Sequence, residues 1–145
     1  MRNHGVWIYG VVNLVHILGV ASLFGSVLVL DLRLLGFWHT VPLRAISGPT
    51  VPIATTGFAI AAPSGLCLLA TKATEYVGNP FLFIKFPAIA LAIANVAVLH
   101  CLPAWREHRM RELSSSEEKK LAVFGGLSLV CWLTAISAGR MIAYW

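Results

Sequence analysis

Charge is scarce in this chain. Of its 145 residues, 12% are Asp, Glu, Lys or Arg, against about 25% in an ordinary soluble domain. So few charges do not coat a globular surface, which excludes a soluble enzyme or a nucleic-acid-binding domain. Disorder is excluded from the opposite side: 58% of the residues are hydrophobic, and a disordered chain needs the reverse composition. Cysteine is sparse too. Cys67, Cys101 and Cys131 form no CxxC pair, and an odd number scattered through apolar runs builds neither a disulfide framework nor a zinc site. They read as small buried apolar side chains. No Walker lysine loop, HExxH, GxSxG or GxGxxG occurs, so nucleotide-dependent and hydrolytic machinery is missing. Met110 and Met141 sit in no Met-x-x-Met or Met-His pattern, which leaves a copper pathway without its soft ligands.

What the chain has is long apolar runs and a mean hydropathy of +0.79. Four stretches (5–30, 45–71, 86–105 and 121–139) contain no Asp, Glu, Lys or Arg. Each is close to the roughly 20 residues that cross a bilayer as a helix. Hydrocarbon leaves no partner for an unpaired backbone group, so each run is predicted to be helical. The expected architecture is all-α: a single integral domain, 1–145, forming a four-transmembrane-helix bundle with spans at about 6–32, 49–72, 80–104 and 117–143. Gly36 follows the first span. Pro49 and Pro52 suit the first turn of the second. Asn79-Pro80 opens the third, and Ser114-x-x-Glu117 or Ser115-x-x-Glu118 provides a capping box for the fourth. Pro63 and Pro87 lie inside helices and are expected to kink them. The first apolar run is too long for a cleaved signal and is followed by Asp31-Leu32-Arg33 in place of small residues.

Orientation follows from Lys and Arg. With four spans, Arg2, Lys72, Lys85 and Arg140 share one side, while Arg33, Arg44, Arg106, Arg109, Arg111, Lys119 and Lys120 share the other. The richer side is cytoplasmic by the positive-inside rule, which places both termini in the periplasm. The expected location is the bacterial inner membrane, multi-pass. The 106–120 loop, with five basic and four acidic residues, reads as a solvated segment with ion pairs, or as a docking surface for a partner subunit or anionic lipid.

A polar group within a span invites a functional reading. His16 lies roughly 15 Å into the first helix, with Asn13 and Gly19 one turn to either side. Its imidazole is a hydrogen-bonding tie between helices, an axial ligand for haem iron, or a proton or quinone group. Lys85 and Arg140 lie about one turn inside the third and fourth spans from the same face. They either snorkel to the headgroups or converge on an anion; roughly 6–10 Å outward of His16, they are at the level of haem propionates. At the opposite end His100, Asn95, Asp31, Arg33 and His39 form a possible second polar site, either a structural cluster or a site for a cofactor, quinone or proton. His4 and His108 read as solvated.

Asn13-Leu-Val-His16-Ile-Leu-Gly19, Leu30-Asp-Leu-Arg33-Leu-Leu-Gly36, Lys85 with Asn95 and His100, and Ala138-Gly-Arg140-Met-Ile-Ala-Tyr144 together resemble uncharacterised bacterial four-helix inner-membrane proteins. More distantly they resemble CopD-type copper-resistance membrane domains and small b-type cytochromes. The cytochrome likeness implies haem b and electron exchange with quinone. The expectation is a membrane redox subunit that holds haem b through His16, with Asn13 beside it and Lys85 and Arg140 at the propionates. It would pass electrons between a periplasmic partner and the quinone pool. The alternative is a non-catalytic anchor or scaffold subunit, homo-oligomeric or part of a larger complex; transport of copper or another small ion comes third.

Overall fold

A computed structural model describes residues 2–145, with side chains from Gly5 onward. It is all-helical, 85% helix with no strand among the described residues. Four helices are long and apolar enough to cross a membrane: α1 (Arg2–Leu34), α2 (Leu43–Thr71), α4 (Pro80–Cys101) and α6 (Ser115–Met141). Two short helices, α3 (Ala73–Tyr76) and α5 (Pro103–Glu107), occupy the connections, and a 3-10 turn (Ile142–Tyr144) follows α6.

The helix ends have local causes. At the end of α1, Gly36 adopts φ +105°, its N–H donates to Arg33 O, and the Phe37 N–H donates to Leu32 O. That pair of bonds is a Schellman motif, which needs a left-handed residue that glycine supplies without strain. Asn79 caps α4 by accepting from the Phe81 N–H at 3.0 Å. Ser114 and Glu117 form the reciprocal capping box of α6, the first of the two pairs that the sequence offered.

Each long helix departs by a few residues from the sequence-based expectation, and two of these shifts have a clear local cause. The second long helix starts at Leu43, directly after Pro42, so Pro49 and Pro52 are interior residues and not first-turn residues. Their missing N–H groups leave the Ala45 and Gly48 carbonyls without the usual i→i−4 partner. The third helix stops at Cys101 because Leu102, extended at ψ 134°, precedes Pro103, and a residue before proline is disfavoured in the α region. The fourth begins at Ser115 and ends at Met141.

α1 lies along α2, and α6 packs between α1 and α4. α6 is the central element: 39% of its most apolar stretch is buried, against 22% or less in the other three. The α1–α2 approach depends on glycine. A Cβ on Gly57 would lie 2.5 Å from Leu23 N and 2.8 Å from Gly19 O, and one on Gly19 would lie 2.8 Å from Ala61 N. These are backbone atoms, so no side-chain rotation relieves the clash. Leu23, Val27, Ala92, Cys131 and Trp132 form one core cluster; Leu34, Leu43, Leu99, Trp105 and Leu121 belong to a second. Cys67 and Cys101 are exposed; of the three cysteines Cys131 alone is buried as expected.

Gly57→Val is expected to destabilise the fold by at least about 1–3 kcal/mol, the usual range for overpacking. Gly10→Ala, with open space at its Cβ, is expected to be neutral or stabilising by up to about 1 kcal/mol. Melting of the detergent-solubilised protein checks both.

Candidate functional site

His16 is half-buried between α1 and α2. Its Nδ1 lies 2.9 Å from Ala61 O and 3.1 Å from Ser64 Oγ. A carbonyl only accepts, so Nδ1 carries the proton and Nε2 keeps its lone pair. Ser64 in turn donates to Ile60 O, which leaves its oxygen able to accept from His16. Gly65 makes room for the ring: a Cβ there would lie 2.9 Å from His16 Cε1. The imidazole is therefore a helix–helix tie at one nitrogen and unengaged at the other among the described residues.

Lys85 is half-buried on α4 and lies over Gly139 of α6, where its Nζ would be 3.5 Å from an added Cβ. Its ammonium is near enough to His16 to act on it electrostatically, so these two expected site residues do share a region. Arg140 turns elsewhere. It is exposed, donates to the Tyr144 hydroxyl at 2.7 Å, and sits 4.9 Å above the Tyr144 ring. Asn13 is half-buried and makes no hydrogen bond among the described residues.

The expected second polar site divides into three. Arg33 donates from Nε to Val41 O at 2.8 Å and from a terminal nitrogen to His39 O at 3.4 Å, so it fastens the loop after α1; the His39 ring is exposed. Asp31 and Asn95 instead point into the bundle, 3% and 5% exposed. Asn95 donates to Phe124 O at 3.0 Å, and the Asp31 carboxyl lies against Ser128. Phe124 O and the Ser128 N–H are partners in one helical hydrogen bond, so both side chains flank the same turn of α6. Asp31 Oδ2, Asn95 Oδ1 and the nearby Trp132 Nε1 are buried without a partner among the described residues.

His100 belongs to neither group. It is exposed, its Nδ1 donates to Val96 O at 2.8 Å, and its ring stands 5.3 Å from that of Trp105. Trp105 stacks in turn at 4.6 Å on His108. The expectation that His108 is solvated is corrected here: it is 7% exposed. Its Nδ1–H donates to the Trp105 carbonyl, which leaves Nε2 to accept from the Ser47 hydroxyl at 2.8 Å. Burial lowers its pKa below 6.5, helped by the charges of Arg109 and His100 and opposed by the Trp105 bond. The signal missed in the sequence was Ser47, itself fully buried. Beside this stack opens a cleft of about 390 Å³ lined by Val51, His100, Trp105, Arg106, His108 and Arg109. His4 lies outside the residues whose side chains are described.

The chain matches no family model, no curated protein and no solved structure.

Two measurements test this geometry. A histidine held neutral by burial contributes stability that is complete above its unfolded pKa and fades as pH falls through the folded one. The melting temperature is therefore expected to drop as pH is lowered from neutral through the range below 6.5, and His108→Gln is expected to show a shallower drop. Asp31→Asn keeps the shape of the side chain and removes a lone buried acid, so it is expected to raise the melting temperature or leave it unchanged at neutral pH.

Proposed function

We propose that the chain is a small four-span subunit of the bacterial inner membrane, with both termini on the periplasmic side, that anchors or scaffolds a larger complex or assembles with copies of itself. One observation carries this reading. Polar side chains within the apolar helices are directed to neighbouring helices, His16 to Ala61 and Ser64 and Asn95 to Phe124. Large apolar side chains such as Trp7, Ile17, Phe83, Leu91 and Val130 stand exposed. Such faces suit lipid and the helices of partners.

A second reading, haem b carried through His16, is favoured by the Nδ1–H tautomer. A ring nitrogen donating to a carbonyl orients the other lone pair for a metal, and Lys85, which acts on His16 electrostatically, would supply positive charge for a propionate. The fit is partial. His16 supplies one axial nitrogen; His39 follows the far end of α1, and His100 and His108 line the distant cleft. Arg140 is engaged by Tyr144. Haem would supply the redox chemistry between a periplasmic donor and quinone; the chain would supply one ligand and the positive charge. A copper or small-ion pathway has less support, since no group of three or more His, Cys, Asp or Glu converges among the described residues.

The visible spectrum of the purified protein decides between the first two. The anchor reading expects a colourless protein in normal yield that migrates as an assembly on native gels. It also expects His16→Ala to lower stability by about 1–3 kcal/mol with no spectral change. A dithionite-reduced Soret and α band that disappears in His16→Ala would establish haem instead.

A further inference from the structure

The cleft at the α4–α5 corner has a composition that neither reading uses. Arg106 near the end of α5 and Arg109 just after it are exposed, and both line it. Neither makes a salt bridge or side-chain hydrogen bond among the described residues. The contrast with Arg111 is sharp: that guanidinium is held by Glu107 at 2.7 Å and Glu117 at 2.6 Å. Two of the four acids of this segment, Glu107 and Glu117, are thus taken up by Arg111, and the two arginines on the cleft have no acid within salt-bridge distance among the described residues. The rest of the wall is held by hydrogen bonds and packing. His108 has both ring nitrogens engaged, Trp105 is 6% exposed, and the three rings of His100, Trp105 and His108 lie side by side. Val51 gives the cleft an apolar margin on α2. Its volume of about 390 Å³ is room for about a dozen waters, enough for a phosphate with a small polar substituent.

We propose that Arg106 and Arg109 bind a phosphate group in this cleft, the phosphate of an anionic phospholipid headgroup. A guanidinium meets phosphate oxygens through paired N–H donors, and two of them match a tetrahedral anion better than a single lysine. The location favours lipid over a soluble phosphate. His100 is the next-to-last residue of the apolar α4, so the cleft lies where hydrocarbon gives way to headgroups when α4 spans. Basic pockets at that level between helices are the usual binding places for acidic headgroups. The Trp105 and Val51 surfaces would face the glycerol and upper acyl carbons.

The test uses the full chain, stripped of lipid in a neutral detergent and then offered phosphatidylglycerol, phosphatidylcholine or inorganic phosphate, with bound molecules counted by native mass spectrometry. Phosphatidylglycerol is expected to be retained several-fold more than phosphatidylcholine. Arg106→Gln with Arg109→Gln should abolish the preference, while the charge-matched pair Lys119→Gln with Lys120→Gln keeps it. Unchanged helical circular dichroism and melting show that each variant is folded. Retention of inorganic phosphate without lipid preference, lost in the arginine pair, supports the phosphate site and assigns it to a soluble ligand. The lipid assignment rests on the membrane-spanning reading and would fail with it; the phosphate arm does not. Equal losses in both variant pairs, or no loss in either, would overturn the proposal, because net charge or nothing at all would then account for binding.

Discussion

The close approach of α1 to α2 across Gly19 and Gly57 is the constraint on which the remaining arrangement depends. With backbone meeting backbone, the two helices are locked in register, and three consequences follow along the seam. His16 reaches a carbonyl on α2. Gly65 leaves room for the imidazole edge. The opposite face of α1 is turned to α6, which brings Asp31 to Ser128. In an apolar solvent there is no hydrophobic gain from burying leucine against leucine. When the four helices span a bilayer, contact distance and hydrogen bonds therefore carry more of the specificity than they would in a water-soluble bundle.

Hydrogen bonding across the bundle is uneven. At His16 and Asn95 a side chain meets a backbone carbonyl that already serves its own helix, which strengthens the contact without opening the helical ladder. At Asp31, Asn95 and Trp132 one polar atom each is left over. Unpaired buried groups of this kind cost about 1–3 kcal/mol each. Three of them around α6 mark the region where this fold is least optimised for stability.

Much of the fold was legible in the sequence because it rests on local signals. Charge-free runs marked the four long helices, and Gly36, Asn79 and Ser114 marked helix ends through chemistry confined to a few neighbouring residues. The start of α2 was misread because Pro49 and Pro52 resemble first-turn prolines, while Pro42 lies just outside the apolar run. The partners of the candidate site were not legible at all. Helices that are apolar on every face show no amphipathic period, so the side that meets a neighbour leaves no pattern. The acceptors for His16 and Asn95 are backbone carbonyls, which no residue type announces. His108 sits in a charged loop and looks solvated until Ser47, 61 residues earlier, is seen to bond it.

The placement of Asp31 and Asn95 bears on biogenesis. Both flank the Phe124–Ser128 turn of α6, which leaves the ribosome after α1, α2 and α4. The α1–α2 hairpin can close as soon as it is made, because its contacts lie within itself. The acid on α1 and the amide on α4 must wait for their α6 neighbours until that later helix is made. A nascent chain halted before α6 would thus expose a carboxyl and an amide to lipid. Such a half-built intermediate is the kind of species that membrane quality control removes.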